Sequence, residues 1–177
     1  MAASPTPTIP TEKDLALAAR RLGERLLARG WRLATAESST GGLIGHAITT
    51  VPGASAYYVG GVISYSNEAK EGELGVPGEL IARHGAVSRE VASAMALGIR
   101  ERFGVELGVA VTGIAGPDGG SERKPIGLHF VAAACEDAAP RVEERVFGYD
   151  REGNKVAAAL LALELGLREV TAAAEAG

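Results

Sequence analysis

The chain is poor in the residues that would staple it or hold a metal. A single cysteine, Cys135, lies in an apolar run, so no internal disulfide can form and the thiol reads as a small core residue. The three histidines, His46, His84 and His129, stand singly, and no pair has the spacing of metal ligands. Net charge is −4 with no block of Lys or Arg, which leaves no basic stripe for nucleic acid. A local cluster of cations can still hold a small anion, because net charge does not fix the local field. No run reaches the about 18 apolar residues of a membrane span. The opening MAASPTPTIP has neither a charged side chain nor a signal-peptide core, and reads as a flexible tail over residues 1–10. The expectation is a soluble, cytoplasmic protein without metal, nucleic acid or membrane as partner.

What is present suits one compact domain over 11–177. The chain has 177 residues, 46% hydrophobic and 23% charged, enough for a real core. Its 24 glycines cluster in short motifs, which favours tight loops over a repeat. Thr11, with Glu12 and Asp14 behind it, caps a first helix whose apolar residues recur at helical spacing from Leu15 to Leu27 and which ends at Gly30. Residues 31–36 read as a strand, about 40–50 as a helix, 59–65 as a strand. Asn67 is placed to cap a short helix containing Lys70, and Val76-Pro77 opens another. Ser88 caps a helix running to about Phe103. The Val-rich ELGVAVTG is a buried-strand pattern, two more strands follow near 127–148, and an Ala/Leu-rich helix covers about 152–175. This order predicts an α/β domain, a sheet with helices on both faces, and at least one antiparallel strand in it.

Three stretches carry candidate chemistry. TAESSTGG, residues 35–42, places Glu37, Ser38, Ser39 and Thr40 at a strand-to-helix turn. The free N–H groups of Ser39, Thr40 and Gly41 would form an anion site there, for a phosphate or for the oxyanion of an attacked carbonyl. A plain helix cap needs only one hydroxyl, and leaves the second, the carboxylate and the glycine pair without a task. A serine nucleophile requires a base. YSNEAK offers Lys70, whose pKa must fall from about 10.4 by several units to serve, and Tyr65 to relay a proton or orient the amine. VTGIAGPDGGSERKPIG, residues 111–127, follows a buried strand. Gly113, Gly116 and Gly119 let backbone N–H groups turn to a ligand, and Thr112, Lys124 and Arg123 add a hydroxyl and charge. It lacks P-loop spacing, and a Gly-rich crossover is an equal reading. Arg151 sits near a helix start, where a cation is unfavourable unless it holds an anion.

TAESSTGG, YYVGGVISYSNEAK, RHGAVS and VTGIAGPDGGSERKPIG, in this order and spacing, resemble the CinA carboxy-terminal domain family, the nicotinamide-nucleotide amidohydrolases or PncC family. The motifs span about 34–131, and the flanking helices and the FGYDR run also fit. The resemblance implies the family's stand-alone form and a three-layer α/β/α sandwich around a mixed, mostly parallel sheet. It implies hydrolysis of the carboxamide of nicotinamide mononucleotide to nicotinate mononucleotide and ammonia, in pyridine nucleotide recycling, without metal or organic cofactor. The family's nucleophile falls on Ser38, its tyrosine and lysine on Tyr65 and Lys70, and its arginine on Arg151. Two positions depart from the family pattern: Ser39 where cysteine is common, and Tyr149 where glycine commonly precedes Asp-Arg. In this reading Ser39, Thr40 and Gly41 hold the oxyanion, while Thr112, Gly113, Gly116, Gly119, Lys124 and Arg151 receive the nucleotide. The rival readings are a module that binds a pyridine nucleotide without turnover, and an amidase for another small amide. The apolar last helix makes a homodimer or higher homo-oligomer the expectation.

Overall fold

The computed structural model describes residues 9–136 and 138–175, so the expected tail lies outside the described residues up to position 8. Helix α1 (Glu12–Arg29) begins at Thr11, which forms a reciprocal capping box with Asp14, and stops at Gly30 in the left-handed conformation. Leu15, Ala18, Ala19, Leu22 and Leu26 lie on its buried stripe. Burying each leucine contributes about 1.5–3 kcal/mol. Strand β1 (Leu33–Glu37), α2 (Leu43–Thr49), a single 3₁₀ turn at Ala54–Ala56 and β2 (Tyr58–Ile63) follow. Then come α3 (Asn67–Leu74), α4 (Gly78–His84), α5 (Arg89–Phe103), β3 (Leu107–Gly113), β4 (Leu128–Cys135), β5 (Arg141–Val146) and α6 (Arg151–Glu175).

The expected order of elements is the observed one, with two local corrections at the site. The helix expected from Thr40 starts at Leu43, because the chain first closes a turn in which the Gly41 N–H meets the Ser38 carbonyl and Gly41 and Gly42 take φ of +63° and +100°. The cap of α3 is Ser66, not Asn67: its hydroxyl accepts the Ala69 N–H at 3.2 Å.

The five strands form one mixed sheet in the order β2-β1-β3-β4-β5. β1 pairs in parallel with β2 and β3, and β4 is antiparallel to β3 and β5. Four strands therefore point one way and β4 alone runs against them. α1, α2 and α6 cover one face, around Leu22, Leu26, Val109 and Leu163. α3, α4 and α5 cover the other, around Met95, Ile99, Ala110 and Ala132. The three-layer sandwich follows. β1, β3 and β4 are buried along nearly their whole length, whereas the edge strands β2 and β5 are partly exposed. No helix among the described residues is long and apolar enough to cross a membrane. Cys135 is buried, and burial pushes its thiol pKa up to about 11, which suits a core residue.

This topology fixes where a ligand can sit. From β1 the chain passes through α2 to β2 on one side; from β2 it returns through α3–α5 to β3 on the other. The carboxyl end of β1 is thus a switch point, where such sheets open a crevice. Glu37 stands there, in register with Ile63 of β2 and Val111 of β3.

Candidate active site

Side chains alternate along a strand, so consecutive residues at the end of β1 face opposite layers. Glu37 turns toward α2. The residue is 2% exposed, and its carboxylate accepts three backbone N–H groups, from Gly42 (3.0 Å), Ile44 (3.0 Å) and Gly45 (2.8 Å). The backbone donors that lead into α2 are therefore taken by the protein's own carboxylate, and they are not the Ser39, Thr40 and Gly41 groups expected to hold an anion. Of the three donors assigned to an oxyanion, all lie in the turn ahead of α2. The Gly41 N–H is committed to Ser38, while those of Ser39 and Thr40 meet no acceptor among the described residues. The positive φ of Gly42 lets its N–H reach the Glu37 carboxylate, and strain would follow a side chain there.

Ser38 turns to the opposite layer. Its N–H is held by the Val111 carbonyl at 3.0 Å. Lys70 comes from α3, whose Ser66 cap sets the helix start just past β2. The Lys70 side chain is 1% exposed. Its Nζ donates to the Ser64 carbonyl at 2.8 Å and lies 3.1 Å from Ser38 Oγ. Burial holds the amine's pKa below its ordinary 10.5, and no carboxylate among the described residues pairs with it. An amine with one N–H fixed on a carbonyl presents its remaining hydrogen-bonding capacity to the serine. In its neutral form that capacity includes a lone pair able to accept the serine proton. The hydroxyls of Ser39, Thr40 and Ser64 are also buried, without partners among the described residues. They leave unspent hydrogen-bonding capacity at this end of the sheet.

Tyr65 was expected to relay a proton or orient the amine; Ser38 and Lys70 are within direct reach of each other without it. Its side chain is 62% exposed, and its hydroxyl accepts from Arg151 Nη2 at 3.2 Å. Arg151 opens α6 and also donates through Nη1 to the Gly116 carbonyl, so it bridges the end of β2 and the loop after β3.

The residues expected to receive a nucleotide divide. Thr112 Oγ1 donates to the Ala86 carbonyl at 2.8 Å, and Lys124 Nζ to the carbonyls of His84 (2.6 Å) and Val87 (2.7 Å). Both tie the loop ends to the segment between α4 and α5. Gly113 ends β3 opposite His129, whose imidazole fills the space a Cβ would need. Gly116 and Gly119 both take φ of +88° in the loop. Among these residues Arg151 alone hydrogen-bonds Tyr65, and none hydrogen-bonds Ser38 or Lys70.

Three supporting residues went unassigned in the sequence. Glu37 was visible only as a carboxylate without a task. Asn154, polar in an Ala/Leu-rich helix, is buried and donates to the Ala115 carbonyl (3.0 Å) while accepting the Tyr149 N–H (3.1 Å). His129 is buried with Nδ1 2.9 Å from the Gly127 carbonyl, and burial lowers its pKa from 6.5. The grooves along α1, one of them lined by Arg20, Glu24, Leu27, Val51 and Tyr57, bring no such nucleophile and base together.

Comparison with known proteins places this geometry in a family. The model of the CinA C-terminal domain matches residues 16–170. The chain is 42% identical to the nicotinamide-nucleotide amidohydrolase PncC of Enterobacter agglomerans, over 90% of this chain and 97% of that protein. It is 54% identical to a CinA-like protein of Gemmatimonas aurantiaca, over 71% of this chain but 29% of that longer protein. The chain spans about a third of the length of several such longer relatives. Among solved structures, the competence/damage inducible protein CihA of Agrobacterium tumefaciens superposes with a TM-score of 0.86 at 38% identity, covering 94% of this chain and 99% of that one. With the family model matching residues 16–170 and a solved member superposing over 94% of the chain at 38% identity, the chain belongs to the CinA C-terminal domain family.

Proposed function

We propose that the protein is an amidohydrolase that removes ammonia from the carboxamide of nicotinamide mononucleotide, with Ser38 as nucleophile and Lys70 as its base. The observation that carries this reading is the 3.1 Å approach to the Ser38 hydroxyl of a buried amine that has no ion pair among the described residues. The substrate comes from the likeness to PncC over nearly the whole of both chains.

Ser38 Oγ attacks the amide carbon as its proton passes to Lys70 Nζ. The carbonyl oxygen becomes an oxyanion, for which the N–H groups of Ser39 and Thr40 are the available donors; one such donor contributes about 10²–10³ in rate. The tetrahedral species collapses, the C–N bond breaks and ammonia leaves with the proton from Lys70. Water then attacks the acyl-serine as Lys70 takes its proton; the ester C–O bond breaks, Lys70 returns that proton to Ser38 Oγ, and the acid leaves as its carboxylate. Tyr65 and Arg151 act on the substrate side: the guanidinium faces the nucleotide phosphate, and the phenol lines the exposed mouth. Thr112, Lys124 and the loop glycines shape that wall.

The test is ammonia release from nicotinamide mononucleotide by the purified protein and by Ser38→Ala. The wild type is expected to release ammonia and yield the mononucleotide acid, and Ser38→Ala to fall at least about 10³-fold. Full activity in Ser38→Ala would remove the covalent mechanism. Tight binding of the mononucleotide by calorimetry with no ammonia formed would replace the enzyme by a binding module.

A further inference from the structure

The nucleophile's turn is closed at both ends by one residue. Glu37 is the last residue of β1, paired to Ile63 and Val111, and its backbone carbonyl accepts the Ser64 N–H at 2.8 Å. Ser64 in turn accepts the Lys70 amine on its own carbonyl, so the same short path fixes the base. Five residues on, the chain returns to the Glu37 side chain, which collects the N–H groups of Gly42, Ile44 and Gly45. Ser38 to Gly41 hang between these two anchors.

We infer that Glu37 is a positioning residue, an anionic clip that holds the Ser38 turn at bonding distance from Lys70; this rests on the reading of Ser38 and Lys70 as nucleophile and base. Three donors converge on two oxygens, Oε2 taking two and Oε1 one. A carboxylate accepts all three. A carboxamide has one oxygen, and its NH₂ would face an N–H wherever it is placed, so glutamine keeps two of the bonds at most. Aspartate keeps the charge but is one methylene short of donors whose distance is fixed by the strand. Glu37 has no ion pair among the described residues, so three charge-assisted bonds and the N-terminal end of α2 stabilise its charge. A misplacement of about 1 Å at a reacting group can cost about 10²-fold.

The experiment compares wild type, Glu37→Gln and Glu37→Asp by three readouts below their unfolding temperatures. These are kcat and KM for ammonia release, the rate at which an alkyl fluorophosphonate labels Ser38, and amide exchange at Gly42, Ile44 and Gly45. Labelling forms the Oγ–P bond and expels fluoride as Lys70 takes the proton, so it reads the Ser38–Lys70 geometry without the natural substrate. The expected result for Glu37→Gln is labelling slowed about 10–100-fold, kcat reduced in the same proportion, KM within about twofold, and faster exchange at those amides. Loss of global stability alone would leave labelling of the folded protein unchanged. Folded Glu37→Gln labelled at the wild-type rate would overturn the inference. Should Glu37→Gln not fold, unprotected Gly42, Ile44 and Gly45 amides in the wild type, or unimpaired labelling of Glu37→Asp, would overturn it equally. Wild type that is labelled at Ser38 yet releases no ammonia would sink the substrate assignment, and the labelling ratio would still decide for or against the clip. Wild type left unlabelled would remove the nucleophile and the clip with it.

Discussion

Two loops leave the carboxyl ends of the neighbouring parallel strands β1 and β3, and they use polar residues in opposite ways. After β1 the turn is short, and Glu37 closes it by binding its backbone, which leaves the Ser38 hydroxyl to meet the buried Lys70 amine. After β3 the loop is long and glycine-rich, and the Thr112 hydroxyl at the end of the strand and the loop's Lys124 ammonium are spent on carbonyls of residues 84–87. In the first, the backbone serves to free a side chain. In the second, side chains serve to hold a backbone. Residue type alone does not separate a ligand contact from a tether, since Lys124 and Lys70 differ in what surrounds the amine and not in chemistry.

The sharpest way to press this contrast is to remove each amine in turn. Lys70→Met keeps the volume and loses the base, so ammonia release is expected to fall about 10²–10⁴-fold, with the protein still folded by circular dichroism. A pH signature goes with it. Folding lowers the pKa of Lys70 from 10.5 by burial, so between the lowered value and 10.5 the unfolded chain binds more protons. Stability from this group therefore rises with pH across that window, and Lys70→Met should lose the slope in denaturant titrations. Wild-type activity should fall as pH drops through the lowered value, where the amine becomes charged.

Arg151→Ala tests the boundary between the two loops, because its guanidinium touches both Tyr65 and the Gly116 carbonyl. Loss of a phosphate contact is expected to raise KM for the mononucleotide about tenfold more than KM for the dephosphorylated riboside, in line with a charged hydrogen bond of about 1.5–3 kcal/mol. Equal rises would make Arg151 a tether like Lys124. The smallest catalytic effect belongs to Lys124→Ala. It removes two hydrogen bonds to carbonyls, so it should lower stability by roughly 2 kcal/mol in urea titrations and shift KM for mononucleotide and riboside alike. A rise confined to the mononucleotide would return Lys124 to the phosphate site.

Much of the fold was legible because its signals are local. The Thr11 capping box, the Gly30 stop, the Ser88 cap and the largely apolar runs of β3 and β4 each follow from nearby residues. So was the pairing of Ser38 with Lys70, through motif resemblance; the alternation of β1 and the Ser66 cap of α3 explain it physically. Three features were not legible. The Glu37 bonds depend on a turn with two left-handed glycines, which delays α2 to Leu43 and gives its N-terminus to a carboxylate. Lys124 and Thr112 find their acceptors in a segment about 26–40 residues earlier, a long-range pairing that no spacing rule reports. Tyr65 was read as a relay or an orienting group from its place between serine and lysine in the motifs, and the structure sets its exposed hydroxyl against Arg151.

The central claim is that burial favours the neutral form of the Lys70 amine, whose lone pair takes the proton of Ser38. The most direct measurement is the titration of Lys70 itself, followed by the nuclear magnetic resonance shift of its ¹³Cε or ¹⁵Nζ and assigned through Lys70→Met. A midpoint below 10.5 is predicted, moving no further when Ser38 is replaced by alanine, because burial and not the serine lowers it. A midpoint at or above 10.5 would contradict it, for burial would then not favour the neutral amine that can take the Ser38 proton.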